Sequence, residues 1–264
     1  MRSKIMSDKV IVRIERSDGP GHPSRWEEFQ VDRRPNANVI SVLMQIQRNP
    51  VTTEGKTTTP PAWDAACLEE VCGSCTMLIN GKVRQACSAL IDKLSQPVTL
   101  QPMKKFPLVR DLTVDRQKMF DALKRVRAWV PIDGTYDLGP GPKQSPEVTE
   151  LRYVLSTCMT CGCCLEVCPQ VAPGTAFLGA AAISQVRLFN SHPTGAMNAS
   201  ERLHGLMGEG GVADCGKAAN CVDACPKGIP LTSSIADMAR ETTKQALKDW
   251  FLRDERKGGA DPAG

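Results

Sequence analysis

The sequence predicts an α+β protein, with a mostly β domain over residues 1–112 and a helical domain over 113–257. Three observations carry this. Alternating apolar residues separated by turn signals fill the first hundred positions, helical spacing replaces them afterwards, and the Cys residues fall into three groups divided between the two parts. Taken in order, Val10, Val12 and Ile14 alternate with polar residues, Gly19-Pro20-Gly21 turns the chain, and Phe29 and Val31 alternate again, which predicts a hairpin. Val39, Val42, Leu43 and Ile46 then recur at helical spacing until Pro50. Met77 to Asn80 and Lys82 to Ala86 flank Asn80-Gly81, a strong hairpin signal, and Val98 to Gln101 supplies a further strand.

Beyond the boundary the spacing predicts a helix over Val114 to Val130, followed by a Pro/Gly-rich loop from Thr135 to Gln144. Ser145-Pro146 reads as N-cap and first residue of a helix running towards Cys158. Further helices are expected at Thr175 to Phe189, Ser200 to Met207 and Leu231 to Arg253, with a disordered tail over 258–264.

The chain has 264 residues, 33 Lys+Arg against 29 Asp+Glu, 41% hydrophobic residues and 12 Cys. That composition excludes a disordered protein. The small basic excess is dispersed and gives little support for a nucleic-acid-binding arm. The longest apolar stretch, Phe177 to Ile183, is far short of the roughly 20 residues needed to span a bilayer. The N-terminus lacks the apolar core of a signal peptide, so a cytosolic setting is expected, where so many cysteines favour metal ligation over disulfides.

Cys67, Cys72, Cys75 and Cys87 have the spacing C-x4-C-x2-C-x11-C, which matches the plant-type [2Fe-2S] loop, with Gly73 and Ser74 placed to turn backbone amides towards the cluster. A zinc site of four thiolates is the alternative, although zinc sites usually pair two short Cys units. Cys158, Cys161, Cys164 and Cys168-Pro169 form the bacterial ferredoxin run, whose fourth Cys ligates the other cluster. Cys215, Cys221 and Cys225-Pro226 repeat it with Ala218 at the second position. Crossing the fourth ligands gives Cys158, Cys161, Cys164 and Cys225 for [4Fe-4S], and leaves Cys168, Cys215 and Cys221 for [3Fe-4S]. A fourth iron held there by water or another side chain is the alternative. Cys163 is left over and reads as a small buried packing residue.

Three clusters without an open substrate position point to electron transfer, and no catalytic residue is assigned. Gly55-Lys56-Thr57 lacks the leading Gly and following helix of a P-loop, and His22, His192 and His204 are isolated. Arg240, Lys244, Lys248 and Arg253 read as a solvated or partner-facing helix surface.

This combination resembles the iron-sulfur subunits of succinate dehydrogenase and fumarate reductase over nearly the whole chain. The stretches CMTCGCCLEVCP, QVRLFNSHPTG, ERLHGLMGEGGVADCG and NCVDACPKGIPLT are similar in particular to the menaquinone-reactive type of Gram-positive bacteria. The resemblance implies a β-grasp N-terminal domain and an α-helical ferredoxin-like C-terminal domain. It also implies a flavoprotein partner with covalent FAD, a membrane-anchor cytochrome b with haem b, and menaquinone at the membrane interface. The chain would then lie peripherally on the cytoplasmic side of the membrane, and electrons would pass through [2Fe-2S], [4Fe-4S] and [3Fe-4S] in that order. A fumarate reductase running in reverse and a free-standing multi-cluster carrier are the alternatives. Pro173 and Gly216 stand where ubiquinone-reactive members carry a Trp and a His, which agrees with menaquinone; no quinone ligand is assigned here.

Overall fold

The computed structural model describes residues 9–131 and 143–258. Most of the expected loop from Thr135, the first eight residues and the tail past Gly258 lie outside these. Two compact units result: Met1–Gln117 with Met159–Val167, and Lys118–Cys158 with Cys168–Gly264.

The first unit is built on a five-stranded sheet in the order β2-β1-β5-β3-β4. Strands β1 (Lys9–Arg16) and β2 (Arg25–Asp32) form the expected hairpin, and β1 buries every second residue, Val10, Val12, Ile14 and Arg16. Helix α1 (Val39–Arg48) starts at Asn38, whose side chain accepts from the Ser41 amide. It buries Val39, Val42, Leu43 and Ile46 in the core that Phe29, Met77, Ile79 and Leu100 also enter. Strands β3 (Thr76–Ile79) and β4 (Lys82–Gln85) pair across Asn80-Gly81, where both residues have positive φ, and β5 (Val98–Gln101) runs parallel to β1 and antiparallel to β3.

A buried ion cluster pins the approach to the first Cys group. Arg16 donates from Nε to Asp111 at 2.8 Å and from Nη1 to Glu27 at 2.5 Å. Asp111 also accepts from the Ser17 amide and, at 2.8 Å, from the Ala62 amide, so one carboxylate ties β1 to the segment before Cys67.

The region expected as a helix over Val114 to Val130 is divided. A short hairpin, β6 (Leu108–Arg110) with β7 (Thr113–Val114), comes first; the Asp115 carboxylate then accepts from the Gln117 amide, and α2 runs only over Gln117–Arg125. Val114 fits the helical period, but its backbone is committed to Leu108.

The second unit is helical. Ser145 caps α3 (Pro146–Ser156) with Pro146 in its first turn, as expected. Helix α5 (Gly179–Ser191) packs against α8 (Leu231–Gly258) and α3, and α6 (Ala199–Gly205) packs on α8. Arg202, 1% exposed, holds this unit together by donating to the carbonyls of Arg127, Trp129 and Gly195 and to Asn190 Oδ1.

Candidate electron-transfer site

The first Cys group sits on a loop whose backbone turns inward because Leu68, Glu70 and Gly73 take positive φ values of 62°, 55° and 69°. Those turns aim amides at sulfur. Cys67 Sγ accepts from the amides of Glu69 at 3.4 Å, Val71 at 3.3 Å and Cys72 at 3.3 Å, and Cys72 Sγ accepts from Ser74 N at 3.5 Å. Burial works to raise the Cys72 thiol, but the Ser74 hydroxyl and the Cys67 and Ser74 amides outweigh it and bring it down to about 6. Cys75 and Cys87 face each other from the start of β3 and the end of the β4 arm; burial, and then the neighbouring Cys87 thiol, push Cys75 up to about 11. Two apposed thiol pairs with convergent amides form an environment that favours extra negative charge, as reduction of a thiolate-bound cluster requires.

The run Met159–Val167 belongs to the first unit and brings Cys161, Cys163 and Cys164 with it. Thr160 and Gly162 have positive φ, and Gly162 opens the single-turn helix α4 (Cys163–Glu166). Glu166, at the end of that turn, accepts from the amides of Lys104 at 2.8 Å and Lys105 at 3.1 Å and so fastens the run to the sheet unit. Gly73 meets Cys161 directly: a Cβ on Gly73 would lie 2.6 Å from Cys161 Cα. Arg116 donates to Gly73 O at 2.8 Å, and its charge helps lower Cys161. The chief cause of that lowering, to about 7, is a hydrogen bond from Cys163, which is itself pushed far up by the same bond and by burial. Cys163 is buried, as expected of a packing residue, and its sulfur also accepts from Gln85 Nε2 at 3.3 Å, a contact that has no trace in the local sequence pattern.

In the second unit Cys168, Cys215 and Cys221 line one space together with Phe177, Gly216, Ala218 and Ile235. Burial raises the Cys221 thiol, and Cys168 and Cys215 add to the effect, so both of those sulfurs lie within electrostatic reach of Cys221. Ala218 lines the same space with a methyl group where the preceding run has a thiol. Lys217 and Ala219 have positive φ and Ala219 opens the single-turn α7 (Asn220–Asp223), reproducing the pattern of Thr160, Gly162 and α4. This identity of backbone supports the alignment that puts Ala218 opposite Cys161. Gly216 is also filled from outside: a Cβ there would come within 2.4 Å of Gln170 Nε2. Cys158 and Cys225 belong to this second unit as well. Among the described residues no three His, Cys, Asp or Glu side chains close on a position for a single metal ion, and no helix is long and apolar enough to cross a membrane.

Comparison with known proteins agrees with both halves. A model of the 2Fe-2S iron-sulfur cluster binding domain matches residues 11–121, and one of the 4Fe-4S dicluster domain matches residues 145–229. The chain is 59% identical over 251 residues to the succinate dehydrogenase iron-sulfur subunit of Bacillus subtilis (strain 168), covering 94% of this chain and 99% of that one. It is 29% identical over 242 residues to the fumarate reductase iron-sulfur subunit of Wolinella succinogenes, covering 89% and 98% of the two chains. Among solved structures, the Mycobacterium smegmatis Sdh1 complex in the apo form contains a chain that matches with a TM-score of 0.73 over 91% of this chain and 98% of that one, at 22% identity. That likeness supports the fold.

Proposed function

The chain belongs to the family of succinate dehydrogenase iron-sulfur subunits, and from that premise we propose how its thiols divide the work of carrying electrons. It is an electron-transfer subunit of an oxidoreductase complex, with [2Fe-2S] and [4Fe-4S] domains. In our reading Cys67, Cys72, Cys75 and Cys87 hold [2Fe-2S]; Cys158, Cys161, Cys164 and Cys225 hold [4Fe-4S]; and Cys168, Cys215 and Cys221 hold [3Fe-4S]. When bound, each cluster takes up and passes on one electron.

The observation that carries the reading is the space shared by Cys168, Cys215, Cys221 and Ala218. Three thiols and a methyl group on one wall fit a cluster with three iron corners, and Phe177 and Ile235 line the same space with apolar surface. In the first loop the amides of Glu69, Val71, Cys72 and Ser74 stabilise charge on sulfur, and Gly73, lacking a side chain, lets the loop meet Cys161 with nothing between. We assign no substrate chemistry to this chain.

The same reading supplies a flavoprotein partner with FAD, a membrane-anchor cytochrome b with haem b, and menaquinone as acceptor, with the chain peripheral on the cytoplasmic side of the membrane. It is supported by the identity to the B. subtilis subunit, about twice that to the Wolinella fumarate reductase subunit, which also favours succinate oxidation over the reverse reaction. Two measurements on the isolated complex test it. Metal analysis should find roughly nine non-haem iron atoms per chain, as two, four and three require, and little zinc. Steady-state succinate oxidation should exceed fumarate reduction; a much faster fumarate reduction would make the complex a fumarate reductase.

A further inference from the structure

Arg116 is fixed between two elements of the first unit. Thr113 and Val114 before it pair in β7 with Arg110 and Leu108, the Asp115 amide donates to Pro107 O at 2.8 Å, and α2 begins directly after it at Gln117, whose amide donates to Asp115 Oδ1. From this position the half-buried guanidinium reaches the loop of the first Cys group and donates from Nη1 to Gly73 O at 2.8 Å. Among the described residues it pairs with no carboxylate, so its charge acts on that carbonyl without a counter-ion. The same oxygen accepts from the Thr76 hydroxyl at 2.7 Å and from the Thr76 amide at 3.3 Å. Gly73 O belongs to the peptide whose nitrogen is that of Ser74, and the Ser74 N–H donates to Cys72 Sγ at 3.5 Å. One planar peptide therefore carries a cation at its oxygen and a sulfur at its amide, in an orientation set by the positive φ of buried Gly73.

We infer that Arg116 is a positioning residue for the first cluster: it holds and polarises the Gly73–Ser74 peptide so that the Ser74 amide bonds the ligand Cys72 more strongly, which raises the reduction potential of [2Fe-2S]. The cation draws electron density towards the carbonyl oxygen and leaves the N–H of the same peptide more positive, the way bonds in a hydrogen-bonded chain strengthen one another. Reduction adds an electron that is shared with the ligating sulfurs, and a stronger N–H···S bond stabilises the reduced form more than the oxidised one. The inference rests on the assignment of Cys72 to [2Fe-2S].

The test is an EPR-monitored redox titration of the intact complex, with the [3Fe-4S] centre, whose proposed ligands belong to the other unit, as internal reference. Arg116→Met removes both donor and charge at similar length and should lower the midpoint potential of [2Fe-2S] while leaving the reference in place. Arg116→Lys keeps a charged donor and should recover the greater part of the shift; Arg116→Gln keeps a neutral donor and should fall between Met and Lys. The [4Fe-4S] midpoint should move less than that of [2Fe-2S], since the Ser74 amide serves Cys72. An unchanged [2Fe-2S] midpoint in Arg116→Met, or a Lys variant no different from the Met variant, would overturn the inference. So would a [4Fe-4S] shift as large as that of [2Fe-2S], which would make the bare charge the cause and not the peptide. Should Arg116→Met fail to assemble, an unchanged midpoint in Arg116→Gln overturns it equally. Absence of a [2Fe-2S] signal from the reduced wild-type complex would instead refute the ligand assignment.

Discussion

The runs Cys158–Pro169 and Cys215–Pro226 share one backbone and differ in their side chains. Thr160 and Gly162 match Lys217 and Ala219 in positive φ, and both runs pass into a single helical turn at the same offset, α4 and α7. Yet Cys161 becomes Ala218, Cys163 becomes Asn220, and buried Glu166 becomes exposed Asp223. The conformation of the loop is therefore set by backbone turns, while the number of sulfurs and the neighbours they meet are set independently by individual side chains. A duplicated scaffold can in this way carry two centres of different chemistry.

The largest expected effect comes from erasing the first difference. Ala218→Cys places a thiol at the methyl-lined wall of the space shared by Cys168, Cys215 and Cys221. EPR of the variant complex should lose the oxidised-state signal of a three-iron centre and gain a second reduced [4Fe-4S] signal; a spectrum like that of the wild type would break the alignment of the two runs. A smaller effect comes from the contact only the first run makes. Gly73→Ala introduces a Cβ at 2.6 Å from Cys161 Cα and strains a φ of +69°, so the complex should lose about 2–4 kcal/mol of stability and part of its [2Fe-2S] spin. Thermal melting with spin quantitation checks this. The smallest effect tests the anchoring carboxylate. Glu166→Ala leaves the Lys104 and Lys105 amides without their acceptor and should cost about 1–3 kcal/mol, whereas Asp223→Ala should stay within about 0.5 kcal/mol of wild type. Equal effects on melting would show that the two runs are anchored alike.

Much of this was legible in the sequence because the signals are local. The β1–β2 and β3–β4 hairpins, α1 and the start of α3 follow from alternation, Asn80-Gly81, and the Asn38 and Ser145 caps. The Cys groups are equally local, since ligand spacing within a loop is a property of a dozen residues. What escaped is non-local. The β6–β7 hairpin took Val114 out of a helical pattern because Leu108 pairs with it. The buried Arg16–Asp111 pair joins residues 95 positions apart, and the Gln85–Cys163 bond joins residues 78 apart. Neither has a compositional trace, and Cys163 read alone is indistinguishable from packing. Positive φ at Thr160, Lys217 and Ala219 was also hidden, because these residue types give no notice of a left-handed turn as glycine does.

The most direct test of the three-centre account is low-temperature EPR of the purified, air-oxidised complex. Oxidised [2Fe-2S] and [4Fe-4S] centres are diamagnetic, so Cys168, Cys215, Cys221 and the methyl group of Ala218 predict one oxidised-state iron-sulfur signal of about one spin per chain from [3Fe-4S], distinct from that of ferric haem in the anchor. No such signal, in protein whose iron content shows the clusters intact, would mean that a fourth iron fills the Ala218 corner and would contradict the account.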